Sequence, residues 1–178
     1  VGLSFGFGDG SRSRFEAETG LRAPCGTSLV NGDRWDDWRR SQLTGLVRQI
    51  AEAARSLRPE VKVSAAVLAD LERAYLVDLQ DWLAWLDEGL LDFAVPMLYT
   101  RDQDLLRYGV QGMSGLAADR AIWVGLGSWL FAASPERAVE QLRVVAEHER
   151  LGSALFSWDS IRESPELRDA LVAEASRE

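Results

Sequence analysis

Two residue types that often build catalytic and metal sites are nearly absent from this sequence. Its 178 residues include one cysteine, Cys25, and one histidine, His148. A single cysteine excludes an internal disulfide, and a histidine-rich zinc site or a Ser-His-Asp triad would rest on His148 alone. His148 follows an apolar helical segment, where an interaction with the helix dipole is favoured over ligand binding. We therefore expect no metal and no cofactor.

Basic clusters and long apolar runs are also absent. The net charge is -8, and binding to nucleic acid requires a basic stripe that the sequence does not supply. No apolar run approaches the roughly 18 to 20 residues of a membrane-spanning helix, and no basic-then-apolar signal segment opens the chain. We expect no nucleic-acid partner and no transmembrane segment. Because the sequence starts at Val1 rather than Met, a processed chain or an excised piece is expected.

Four apolar runs recur along the chain at a regular spacing. They lie at residues 61–67, 91–98, 121–126 and 152–156. Their starts are about 30 residues apart, the length of one strand-plus-helix unit. With 47% apolar residues, the chain is predicted to form a single α/β domain over residues 1–178.

Helices are predicted between these strands from apolar spacing and from start and stop signals. Gly20, Pro59 and Gly89 are expected to lie just past helix ends. Ser134-Pro135-Glu136 and Ser164-Pro165-Glu166 repeat one helix start signal. The predicted helices cover residues 13–19, 33–57 with Asp33 as the cap, 78–88, 102–116 and two segments after the serine signals. Residues 1–10, 21–32 and 68–77 are predicted to be loops.

Parallel strands that alternate with helices form either an open doubly wound sheet or a (β/α)8 TIM barrel. No strand-to-helix turn carries the glycine fingerprint of a nucleotide-binding sheet, so the barrel is favoured. The strands are expected to be buried on both faces. A barrel needs eight strands and only four are found. Either further sequence or self-association through exposed sheet edges would complete it.

In a parallel βα array, ligands bind at the carboxyl ends of the strands. Asp92 opens its strand and is therefore predicted to be a structural carboxylate. Trp82 and Trp85 lie in a helix and are predicted to be core residues, whereas Trp35 and Trp38 are not assigned. The candidates at the carboxyl ends are Asp70, Tyr99, Arg101, Trp129, Trp158 and Asp159.

Trp158 and Asp159 form the most suggestive pair, because an indole face and a carboxylate suit a sugar ring and its hydroxyls. The alternative is that Asp159 or Ser160 caps a following turn. Tyr99 either donates a hydrogen bond to a substrate or packs as a half-buried tyrosine. No two carboxylates can be placed at catalytic separation from spacing alone.

Motifs spread in order over almost the whole chain resemble those of one known family. They include Phe7-Gly8, Ser13-Arg14-Phe15-Glu16, Trp38-Arg39-Arg40, Gln80-Asp81-Trp82, Gly89-Leu90-Leu91-Asp92-Phe93, Pro96-Met97, Val124-Gly125-Leu126-Gly127 and Leu155-Phe156-Ser157. Together they resemble the bacterial glycosyl hydrolase-like family 10. The resemblance implies a (β/α)8 barrel that acts on cell-wall peptidoglycan strands, usually in an extracytoplasmic protein.

Two departures from the family pattern affect the expected activity. The family's Asp-Tyr-x-Arg-Tyr strand tip would lie just before Val1, and Met97 stands where many relatives carry glutamine. The chain thus resembles the C-terminal half of the barrel, strands five to eight, and the isolated piece is expected to be inactive.

Glycosidases generally use two carboxylates, and Asp159 and Asp70 are the catalytic candidates at strand tips. The predicted substrate contacts are Tyr99, Trp158, Trp129 and Arg101. The predicted function is hydrolysis of a glycosidic bond in the complete barrel. The alternatives are a non-catalytic glycan-binding module and a structural half-barrel that closes by dimerising.

Overall fold

A computed structural model describes residues 6–25 and 30–176 of the chain. These residues belong to two compact units, one comprising Val1–Val61 and Asp70–Trp85, the other Lys62–Ala69 and Leu86–Glu178. The predicted loops at 1–10 and 21–32 lie partly outside the described residues, at 1–5 and 26–29. Within the described ranges, no helix has the length and apolar character needed to cross a membrane.

The first unit is helical. Helix α1 spans Asp9–Thr19 and ends at Gly20, whose φ of 70° places it in the left-handed region, as predicted. Helix α2 spans Gly32–Leu57 and ends before Pro59, also as predicted. The predicted cap at Asp33 is wrong. Asn31, with φ of 57°, precedes the helix, and Asp33 lies in its first turn, where its charge suits the helix dipole.

A short helix occupies part of the segment predicted to be a loop. Helix α3 spans Leu71–Leu76, and Asp70 caps it by accepting a hydrogen bond from the Arg73 amide at 3.0 Å. Ala74 on this helix is fully buried. Because six residues cover less than two turns, the apolar periodicity was too short to indicate a helix.

Helix α4 spans Trp82–Asp87 and starts later than the prediction at residue 78. Leu79 has φ of 60°, so the backbone cannot continue as a helix through this position. Trp82 and Trp85 are buried, as predicted. The indole nitrogen of Trp85 donates to Thr44 Oγ1 at 2.9 Å, and Gly89 takes the left-handed conformation expected after the helix, with φ of 68°.

The second unit contains the sheet, and the four predicted strands are confirmed. They are β1 (Ser64–Leu68), β2 (Phe93–Met97), β3 (Ile122–Gly127) and β4 (Leu151–Phe156). All three pairings are parallel, and the strand order is β1-β2-β3-β4. A doubly wound sheet reverses its order at a switch point. This order has no reversal, so the α/β fold is compatible with part of a TIM barrel.

Four helices and one 3-10 turn follow the strands of the second unit. Asp102 caps α5 by accepting from the Asp104 and Leu105 amides. Ser164 caps α8, whereas Ser134 stands at the cap of α6 without a side-chain bond. The elements are α5 (Gln103–Leu116), the 3-10 turn (Ser128–Phe131), α6 (Pro135–Ala146), α7 (Trp158–Glu163) and α8 (Pro165–Ala175).

The two faces of the sheet differ in burial. In β2 and β3, Ala94, Ile122 and Val124 are completely buried on the helix side, where Leu155 of β4 packs against the core of α6 and α8. On the other face, Trp123 and Phe156 are 43% and 55% exposed. The prediction that the strands are buried on both faces is therefore wrong. Within the second unit, helices α5 and α6 both pack on the helix side.

The amino end of the sheet is held by a carboxylate. Asp92 Oδ2 accepts from the Val63 amide at 2.8 Å, and Oδ1 accepts from Lys62 Nζ at 3.0 Å. Asp92 thus links the segment before β1 to the segment before β2 through a hydrogen bond and an ion pair, which confirms the predicted structural role. His148 lies just past α6, with Nδ1 at 3.1 Å from Ser114 Oγ.

Candidate functional site

Three aromatic rings meet at the carboxyl end of the sheet. Tyr99 follows β2, Trp129 lies in the 3-10 turn after β3, and Phe156 ends β4. The Tyr99 and Phe156 rings are nearly parallel, at 24° and 5.8 Å between centroids. The Trp129 ring is nearly perpendicular to both. Its interplanar angle is 79° to Tyr99 and 82° to Phe156, and the centroid distances are 4.7 and 5.6 Å. We call these three residues the carboxyl-edge aromatic cluster.

The cluster combines exposed apolar rings with one sheltered hydroxyl. Trp129 is 40% exposed and Phe156 is 55% exposed, so both present ring surface to solvent. Tyr99 is more enclosed, and burial raises the pKa of its phenol above the ordinary value. The phenol therefore stays protonated, and able to donate a hydrogen bond, throughout the neutral pH range.

The sequence placed Tyr99 and Trp129 at this edge, and the structure brings them into contact. Phe156 was missed because it was interpreted as the last apolar residue of a buried strand. A signal was present in the alternation of β4. The strand period places Gly152, Ala154 and Phe156 on one face of β4, and the strand direction places Phe156 at its carboxyl end.

Trp158 and Asp159 lie in the first turn of α7. Trp158 is 69% exposed. Asp159 is also exposed, and its Oδ1 lies 3.3 Å from Arg162 Nη2. The cap of α7 is formed by Ser157 together with Ser160, so the capping alternative is confirmed for Ser160 and wrong for Asp159. The peptide bond between Phe156 and Ser157 is cis.

The remaining candidates have separate environments. Asp70 belongs to the first unit, where its carboxylate caps α3. Arg101 is exposed, and its carbonyl oxygen accepts a hydrogen bond from Arg137 Nη2 at 2.7 Å. Buried Gln141 donates to the neighbouring carbonyl of Thr100 at 2.9 Å. These two bonds hold the chain after Tyr99 against α6.

The described residues contain no group of three or more His, Cys, Asp or Glu side chains able to hold a metal ion. The carboxyl-edge aromatic cluster presents aromatic ring surface and one phenol hydroxyl. Such surfaces bind flat, partly apolar ligands that also carry hydrogen-bonding groups, as sugars do.

The second unit thus has a parallel sheet with half-exposed aromatic rings at its carboxyl edge. The model of the family glycosyl hydrolase-like 10 matches residues 3–125, and the chain belongs to this family. No curated protein and no solved structure matches this chain. Asp70, Tyr99 and Arg101 lie inside the matched range. The role of Trp129, Phe156, Trp158 and Asp159, which lie beyond residue 125, depends on the structure alone.

Proposed function

We propose that this chain is a glycosidase-type domain that binds a cell-wall glycan strand at the carboxyl-edge aromatic cluster. The observation that carries the proposal is the exposure of Trp129 and Phe156 at the edge of the sheet where parallel α/β proteins bind ligands. One face of a pyranose ring is lined by C–H groups and packs on an aromatic ring. The neutral hydroxyl of Tyr99 supplies a hydrogen bond to the sugar.

We further propose that the four strands are strands five to eight of a (β/α)8 barrel. The unreversed strand order and the partly open face support this proposal. In a barrel, alternate side chains of every strand fill the interior, which would cover Trp123 and Phe93. Self-association through β1 and β4 is the alternative way to cover this face. Light scattering tests the self-association alternative, because a monodisperse monomer in solution excludes self-association through β1 and β4.

Glycosidases generally use two carboxyl groups beside an oxocarbenium-like transition state. We propose Asp159 as one of them, with Trp158 and Arg101 as additional sugar contacts. Asp70, the other catalytic candidate from the sequence, caps α3 in the first unit, and we propose no pairing of it with Asp159. A peptidoglycan substrate implies a location outside the cytoplasm, and we include this location in the proposal.

A non-catalytic glycan-binding module is the second candidate function. Asp159 is exposed and paired with Arg162, and Asp70 is engaged by a backbone amide. Neither carboxylate lies in the apolar surroundings that tune a general acid. Such a module would use the same aromatic cluster and release no product.

Reducing-sugar release from purified peptidoglycan, measured on a protein that contains the complete barrel, separates these functions. A glycosidase produces new reducing ends, and Asp159→Asn abolishes them while glycan binding persists. Asp169→Asn is a matched control, because Asp169 is also exposed and paired with the neighbouring Arg168. Binding without release identifies the non-catalytic module. Absence of both binding and release would refute the proposed function.

A further inference from the structure

The indole of Trp129 lies directly against the strand that precedes it. A Cβ atom built on Gly127 would lie 2.9 Å from Trp129 Cη2 and 3.0 Å from Cζ3. Real Cβ atoms do not approach other heavy atoms so closely. The backbone of Gly127 has φ of -85° and ψ of 85°, which does not require glycine. A methyl group at residue 127 would therefore require the Trp129 indole to shift, together with a smaller adjustment of Leu130, whose Cδ1 would lie 3.1 Å away.

Ser128, the next residue, links the 3-10 turn to the end of β4. Its side chain is buried, with the residue only 1% exposed. Ser128 Oγ donates to the carbonyl oxygen of Phe156 at 2.9 Å. It also lies 2.9 Å from Ser160 Oγ, which in turn donates to the Ser157 carbonyl at 2.7 Å. A single buried hydroxyl thus fixes the backbone of Phe156 relative to the turn that carries Trp129.

We propose that Gly127 and Ser128 are positioning residues that hold Trp129 and Phe156 at right angles as a preformed sugar-binding corner. Gly127 lets the indole approach β3 closely, and Ser128 fixes the strand end that presents the phenyl ring. This inference rests on the proposed function, because the corner matters for activity only if it binds the sugar. Preformed rings lower the cost of ordering side chains when the ligand arrives.

The first test is the affinity for the N-acetylglucosamine tetramer, measured by titration calorimetry on the purified protein. Gly127→Ala adds one methyl group that displaces the indole, and we expect its dissociation constant to rise about tenfold or more, the scale of losing one well-packed contact. Gly112→Ala is the matched control. Gly112 lies in α5 with no atom within 4 Å of the added methyl, so this variant keeps the parent's affinity.

A double-mutant cycle separates positioning from a general loss of structure. If Gly127 acts only through the indole, Gly127→Ala has no additional effect on affinity once Trp129→Ala is present. Likewise, Ser128→Ala weakens binding in the parent but not in a Phe156→Ala background. Additive losses in both cycles, or unchanged affinity of Gly127→Ala, would overturn the proposal.

Near-ultraviolet circular dichroism gives a reading that does not depend on the ligand. Aromatic rings in fixed contact produce a signal, which Gly127→Ala should change in the parent and leave unchanged in the Trp129→Ala background. If the parent does not bind the tetramer, the proposed function fails, and this spectrum alone decides the positioning role. A spectrum of Gly127→Ala that is identical to that of the parent refutes it.

Discussion

Each unit of this chain contains a cluster of aromatic rings, and the two clusters have similar ring geometry. In the first unit, Phe15 meets Trp35 edge to face at 5.1 Å and 82°. In the second, Tyr99 meets Trp129 at 4.7 Å and 79°. Their exposure is opposite, since Trp35 is 1% exposed and Trp129 is 40% exposed.

The comparison shows that exposure, and not ring contact, distinguishes the two clusters. The first cluster is built on α1 and α2, whose apolar sides bury the rings between them. Trp38 at its edge uses its indole nitrogen to donate to Glu18 at 2.7 Å. The second cluster lies where strands end and the chain turns, so its rings are covered on one side only.

The largest expected effect is on stability, from the buried cluster. Trp35→Ala removes a completely buried indole, and we expect the free energy of unfolding to fall by about 3 to 5 kcal/mol. Urea denaturation followed by far-ultraviolet circular dichroism measures this change. Trp158→Ala is the matched control, because Trp158 is 69% exposed and its loss should alter stability by only about 0.5 kcal/mol. Equal effects of the two variants would contradict the comparison.

A smaller effect is expected on binding, from the exposed cluster. Phe156→Ala should weaken binding of the N-acetylglucosamine tetramer by about 1 to 3 kcal/mol, the scale of losing an aromatic contact, with little change in melting temperature. Phe93→Ala serves as the control, because Phe93 lies on the same face at the amino end of β2, where it stacks on Trp123 at 4.6 Å. A loss of affinity in Phe93→Ala equal to that in Phe156→Ala would place the ligand elsewhere.

The smallest effect concerns pH. Burial raises the pKa of Tyr99 in the folded state, so the folded protein retains this proton at pH values where the unfolded chain has lost it. The contribution of Tyr99 to stability is complete below its ordinary pKa of about 10 and is lost as pH rises through the raised value. Tyr99→Phe should therefore show a weaker decline in stability above pH about 10. Parallel declines in melting temperature for the two proteins would exclude this linkage.

The sequence predicted those parts of the fold that depend on local chemistry. The four strands follow from apolar runs, and the ends of α1, α2 and α4 follow from Gly20, Pro59 and Gly89. Asp92 was assigned correctly because its position before a strand places it at the amino end of the sheet. These features depend on neighbours in sequence or on strand direction, both of which can be read directly.

The parts that were missed depend on contacts between distant residues. Phe156 belongs to the aromatic cluster only because β4 lies beside β3 and the turn after β3 folds back over Gly127. The start of α2 depends on the left-handed backbone of Asn31, which the sequence does not reveal. The open face was missed because an apolar run in a parallel strand has the same composition whether one face or both are covered.

The order of the strands also determines what duplication of one strand-plus-helix segment would do to the sheet. Each described strand pairs only with strands next to it in sequence, so β2 and β3 have two partners each and β1 and β4 have one. Duplication of one strand-plus-helix segment would therefore create a single new strand pairing and leave the existing pairings unchanged, as in repeat proteins. With this strand order, duplication can lengthen the sheet by one strand-plus-helix segment at a time. The residues at the carboxyl ends of the strands can then diverge separately in each copy.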